Sequence, residues 1–120
     1  MEGLIPRKLR LLCRLEDIPD GGARGFPPAP GGFTGLFAIR RGARVVIYVN
    51  SCPHLGVPLD WMPDRFLSAD GSRIVCATHG AEFAIDDGTC LRGPCIGDRL
   101  EQVAVTVSDG AVSVAEDAGL

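Results

Sequence analysis

The sequence predicts an all-β fold built of antiparallel sheets, on three observations. No stretch of its 120 residues sustains an apolar period of 3.6. The 16 glycines and 9 prolines punctuate short extended runs instead of gathering in one tract. Three Asp-Gly pairs, at 70–71, 87–88 and 109–110, each stand between two such runs, the position a hairpin turn requires.

The elements follow in order. "KLRLLCRL" (8–15) alternates and reads as a first strand, with Cys13 among its core positions; the turn-rich "EDIPDGGARGF" comes after it. "FTGLFAIR" (33–40) and "ARVVIYVN" (43–50) form a hairpin across Arg41-Gly42. "RFLS" (65–68) and "RIVC" (73–76) flank "ADGS", and "AEFAI" (81–85) and "TCL" (89–91) flank "DDG". "EQVAVTV" (101–107) alternates as one strand, and "AVSVA" (111–115) returns after "SDG". With no linker and no internal repeat, residues 1–120 read as a single domain, a length sufficient for a real core.

Composition narrows the function classes. The hydrophobic fraction of 46% suits a globular domain, and no apolar run is long enough to cross a membrane as a helix. The N-terminal apolar run is too short and interrupted for a signal peptide, so the expectation is a cytoplasmic protein without a membrane partner. A net charge of −3 argues against a nucleic-acid partner. Five cysteines (13, 52, 76, 90 and 95) are an odd number, a poor match to a disulfide framework in a chain without an export signal.

The chemistry gathers in two short stretches. Both histidines of the chain stand beside a cysteine: Cys52-x-His54 and Cys76-x-x-His79, separated by residues 55–75. Thiolate and neutral imidazole are ligands for soft and borderline metals. Pro53, Gly56, Pro58 and Gly80 shape the tight loops that would let neighbours in sequence converge on one centre, and strand-like runs lead into both loops. Two metals suit these four residues. One is four-coordinate zinc, which would make the chain a zinc-stabilised binding module without redox activity. The other is a binuclear cluster, which each loop would supply with one cysteine and one histidine.

With "CPHLG", "CATHG" and the later "LRGPC" (91–95), the chain resembles the Rieske iron–sulfur family, over roughly residues 9–116. The segment between the two motifs is longer than in many compact Rieske ferredoxins, with the excess placed in "DWMPDRFLSADGS". The resemblance implies antiparallel sheets with an inserted cluster-binding subdomain, about residues 50–96. It implies a Rieske-type [2Fe–2S] cluster with Cys52 and Cys76 on one iron and His54 and His79 on the other. "LRGPC" resembles the proline loop that covers the cluster. The function implied is one-electron transfer from a reductase to a terminal oxygenase, without turnover by the carrier itself. A small Rieske subunit of an assimilatory nitrite reductase is the second possibility within the family.

Neutral imidazoles in place of two thiolates ease the arrival of an electron. Rieske potentials accordingly run from about −150 to +300 mV, against about −400 mV for all-cysteine plant-type ferredoxins. High-potential members carry a disulfide between the two cluster loops; Val57 and Thr78 stand at those places here. They also carry serine and tyrosine donors to the cluster sulfurs, where this chain has Ala81 and Phe83. Fewer donors predict a low-potential, ferredoxin-like protein. A potential falling with alkaline pH is expected as well, since oxidation acidifies the remote N–H of a histidine ligand.

Other residues carry plainer readings. Leu55, Val57, Pro58 and Pro94 suit either an apolar rim around the cluster or ordinary loop packing. Cys90, just before "LRGPC", and Cys95, at its end, are open to extra ligation or a disulfide, but with four ligands already named they read first as small buried hydrophobes. Trp61 and Met62 read as packing residues, and Glu82, Asp86 and Asp87 as a solvated acidic turn.

Overall fold

The computed structural model describes residues 9–28, 34–53, 58–60, 62, 64–76, 80–115 and 118. Ten strands fall into three antiparallel sheets, joined among the described residues by a single 3₁₀ turn at Leu15–Asp17. The first sheet contains β1 (Leu9–Arg14), β10 (Ala111–Ala115) and β9 (Val105–Ser108), in that order. The second contains β2 (Ala23–Phe26), β3 (Leu36–Arg41), β4 (Arg44–Val49) and β8 (Gln102–Val103). The third contains β5 (Arg73–Val75), β6 (Glu82–Ala84) and β7 (Cys90–Arg92). The all-β, antiparallel expectation holds.

The β3–β4 hairpin is apolar on both faces, which explains why "LFAI" and "VVIYV" read as continuous runs rather than as alternation. The register pairs Phe37 with Tyr48 and Ile39 with Val46 on one face. These four enter a core with Phe66, Phe83, Leu59, Ile74, Cys52 and Cys76. On the other face Leu36 pairs with Val49 and Ala38 with Ile47. These enter a second core with Ile18, after the 3₁₀ turn, and with Cys13, Val112 and Val114 from the first sheet. The hairpin is thus one wall shared by two cores, and successive side chains alternate between them.

Four local readings differ from the structure. The hairpin turns at Gly42 and Ala43, one residue later than the sequence suggests, with Gly42 at φ +61° in the first turn position. "ARGF" in the turn-rich segment is strand β2, paired with β3 along its length. Its Gly25 leaves room for Phe66, whose ring would stand 3.2 Å from an added Cβ. "EQVAVTV" is two strands: β8 extends the hairpin sheet, while β9 joins β10. The 65–68 run contributes only an isolated bridge, Leu67 to Ile74. The last Asp-Gly turn is as expected, with Asp109 at φ +50° and Gly110 at +78°, the positive pair of a type I′ hairpin.

Candidate metal centre

Three loops meet at the end of the core that carries the third sheet. The first leaves β4 at Val49 and contains Cys52, which is fully buried. Its two ends are tied by Asn50. The Asn50 side chain donates to Asp60 Oδ1 at 3.0 Å and accepts the Leu59 backbone N–H at 2.8 Å. Leu59 is itself fully buried and anchors the returning chain. Sequence reasoning missed this clamp; the only trace of it is an amide at the strand end ten residues before a carboxylate.

The second loop leaves β5. Cys76 is fully buried, donates its backbone N–H to the Ala81 carbonyl at 2.9 Å, and accepts the Gly80 N–H at 2.8 Å. Those two bonds tie the ends of the second loop together where they enter β5 and β6. The third loop follows β7. Asp98 N–H donates to the Cys95 carbonyl at 2.8 Å, and Cys90 N–H to the Asp98 carbonyl at 3.1 Å.

The loops touch one another. Gly93 has φ +99°, and a Cβ there would stand 2.8 Å from the Ala81 Cα. Only glycine lets the "LRGPC" loop lie this close to the second loop. Cys95 Sγ lies 3.7 Å from Cys52 Sγ, joining the third loop to the first. Both Cys52 and Cys76 belong to the same apolar core. His54 and His79 lie outside the described residues, as do Leu55, Gly56, Val57, Trp61 and Thr78. None of the five cysteines is in a disulfide, and all five are buried, so Cys13, Cys90 and Cys95 do occupy interior positions.

A donor set of this kind suits a metal centre. The core around Cys52 and Cys76 holds no buried polar or charged residue among those described. Thiolate charge placed there needs a metal to balance it, since desolvated charge without a partner is costly. Ala81 and Phe83 are both fully buried beside the second loop and bring no side-chain donor.

Charged groups around the centre already have partners. Glu82 is held by Arg73 at 3.0 Å and Arg92 at 4.0 Å, and Asp86 pairs with Arg44 at 3.7 Å. Asp87 accepts the Thr89 N–H at 2.9 Å, and that bond, with the Thr89 hydroxyl, holds its carboxyl below the ordinary range. By contrast, the loop surfaces expose apolar groups: Pro58 and Pro94, and also Leu91 and Ile96, at 45% and 69% exposure. Met62 is 42% exposed and so is a surface residue, contrary to its reading as packing. No helix among the described residues is long and apolar enough to cross a membrane.

Comparison with known proteins accounts for the motif and the fold together. The ferredoxin of carbazole 1,9a-dioxygenase from Nocardioides aromaticivorans IC177 is similar to this chain at 22% identity and TM-score 0.72, over 90% of this chain and 97% of the ferredoxin. A chain from a complex of reduced oxygenase and oxidized ferredoxin in carbazole 1,9a-dioxygenase is similar at 25% identity and TM-score 0.72, covering 96% of this chain and 99% of that one. The Sphingomonas yanoikuyae B1 ferredoxin matches at 24% identity and TM-score 0.68, over 90% and 98% of the two chains. Comparison with curated proteins gave no match. The sequence profile of the Rieske [2Fe-2S] domain matches residues 11–114, and the cofactor it implies is a Rieske-type [2Fe–2S] cluster rather than a lone zinc. Two fully buried cysteines on converging loops, a shared fold and a profile covering most of the sequence lead to one conclusion: the chain belongs to the Rieske [2Fe–2S] domain family.

Proposed function

We propose that this protein is a low-potential Rieske ferredoxin that takes one electron from a reductase and gives it to a terminal oxygenase. The observation that carries this reading is the match over 97% of a dioxygenase ferredoxin's length. Within it, residues 50–96 form the cluster-binding part of a single domain. Cys52 and Cys76 hold one iron, and His54 and His79 the other. When bound, the cluster supplies a reversible one-electron site. The chain's own part is to hold that site still, keep water from its sulfur side and offer a surface for docking. The buried core under Cys52 and Cys76 serves the first two tasks. Pro58, Leu91, Pro94 and Ile96 serve the third.

Protein-film voltammetry tests the low-potential assignment. A midpoint near about −150 mV is expected, and one above about +100 mV overturns it. Gel filtration of natively expressed protein separates the carrier from a nitrite reductase subunit: a carrier elutes unbound, a subunit with its partner. Stopped-flow mixing of the reduced protein with a terminal oxygenase from the same cells should show reoxidation. Ile96→Glu should slow that step about tenfold or more, because it places a charge in an apolar contact, while leaving the visible spectrum unchanged.

A further inference from the structure

Outside the paired motifs, a third thiol stands against a candidate ligand. Cys95 Sγ is 3.7 Å from Cys52 Sγ, within reach of a sulfur hydrogen bond. Cys95 is 1% exposed, so water does not compete for the contact. Its position is fixed by the Asp98 N–H on its carbonyl and by the close seat of Gly93 on Ala81. The neighbouring thiol is used otherwise, since Cys90 Sγ donates to the Arg92 carbonyl at 3.3 Å.

We propose that the Cys95 S–H donates to the Cys52 sulfur and thereby raises the potential of the cluster. The proposal rests on the assignment of Cys52 as a ligand. Ligation takes the proton of Cys52, which leaves Cys95 as the donor of the pair. A donor to a ligand sulfur stabilises negative charge on it. The reduced form carries one electron more than the oxidised form, so it gains more from the bond. Ala81 and Phe83 supply no side-chain donor, and the Cys95 thiol offers one from the third loop, which tempers the low potential that their identity sets. Cys95 is a positioning residue that acts through Cys52, not a further ligand.

The test compares Cys95→Ala and Cys95→Ser holoproteins by visible and EPR spectra and by film voltammetry. Cys95→Ala should lower the reduced-to-oxidised ratio at fixed potential by up to tenfold, equivalent to about 59 mV for a one-electron couple. Cys95→Ser keeps a donor and should lie above Cys95→Ala. A packing role alone would change thermal stability without ordering the midpoints in this way. A Cys95→Ala midpoint at or above wild type overturns the proposal, and so does a Cys95→Ser midpoint at or below Cys95→Ala. If only Cys95→Ser retains the cluster, a midpoint less than about 59 mV below wild type supports the proposal and a deeper fall overturns it. Loss of the cluster from both variants also overturns it, by making Cys95 a ligand or a structural support. Cys52→Ala separates the two assignments: a wild-type Rieske spectrum in that variant removes Cys52 from the ligand set, whatever Cys95 does.

Discussion

Tyr48 joins the hairpin wall to the third sheet. Its ring lies 5.7 Å from Phe37, and its hydroxyl donates to the Ile85 carbonyl from a fully buried position. Burial, followed by the nearby Asp87 and Asp86 carboxylates, raises its pKa from 10.0 to about 12. The neutral form is therefore favoured in the folded state. The contribution to stability is complete below pH 10 and is lost as pH rises from 10 towards 12. Tyr48→Phe should cost about 1–3 kcal/mol at neutral pH, because it strands a buried carbonyl. It should also flatten the alkaline decline, and denaturant titrations at pH 8 and pH 11 would check both. Phe66 is the plainer case: fully buried and stacked on Phe37 at 4.3 Å, it should cost about 3–5 kcal/mol when replaced by alanine. Thermal melting of the variant measures that loss.

At the scale of elements, legibility follows whether a signal is local. The Asp-Gly turns and the two long apolar runs stood out because hairpin chemistry and β-branched side chains are written in adjacent residues. Strand β2 did not, since its Gly25 answers to the ring of Phe66 some forty residues away in sequence. The division of 101–107 was equally hidden: one alternating run serves two sheets, and only the partners of β8 and β9 tell them apart. In the candidate site, the cysteine–histidine spacing was plain, but the Asn50 clamp and the Cys52–Cys95 contact join distant segments. Gly93 is where this tertiary dependence can be probed. Gly93→Ala adds a Cβ 2.8 Å from the Ala81 backbone at φ +99°. It should loosen the "LRGPC" loop by about 1–3 kcal/mol and speed iron release to a chelator by tenfold or more. Far-ultraviolet circular dichroism should stay at wild type, because β3 and β4 do not depend on that seat.

At the scale of the whole molecule, the described residues form two cores of different kinds. The core with Cys13, Val112 and Val114 contains neither candidate cysteine ligand, while the other contains both Cys52 and Cys76. Removing iron should therefore act unevenly. Amide exchange in β5, β6 and β7 should accelerate at least tenfold, about 1.4 kcal/mol of lost protection, and more than in β1, β9 and β10. Exchange mass spectrometry of the holoprotein and apoprotein would show the difference; uniform acceleration would mean that the two cores unfold together.

The shared wall has a further consequence. A hairpin gripped from both sides by close-packed side chains yields little when one unit of charge arrives beyond its end. The wall beneath Cys52 and Cys76 then keeps one outline in both redox states. What differs between the two states at that end of the molecule is then carried by charge and not by the backbone of β3 and β4.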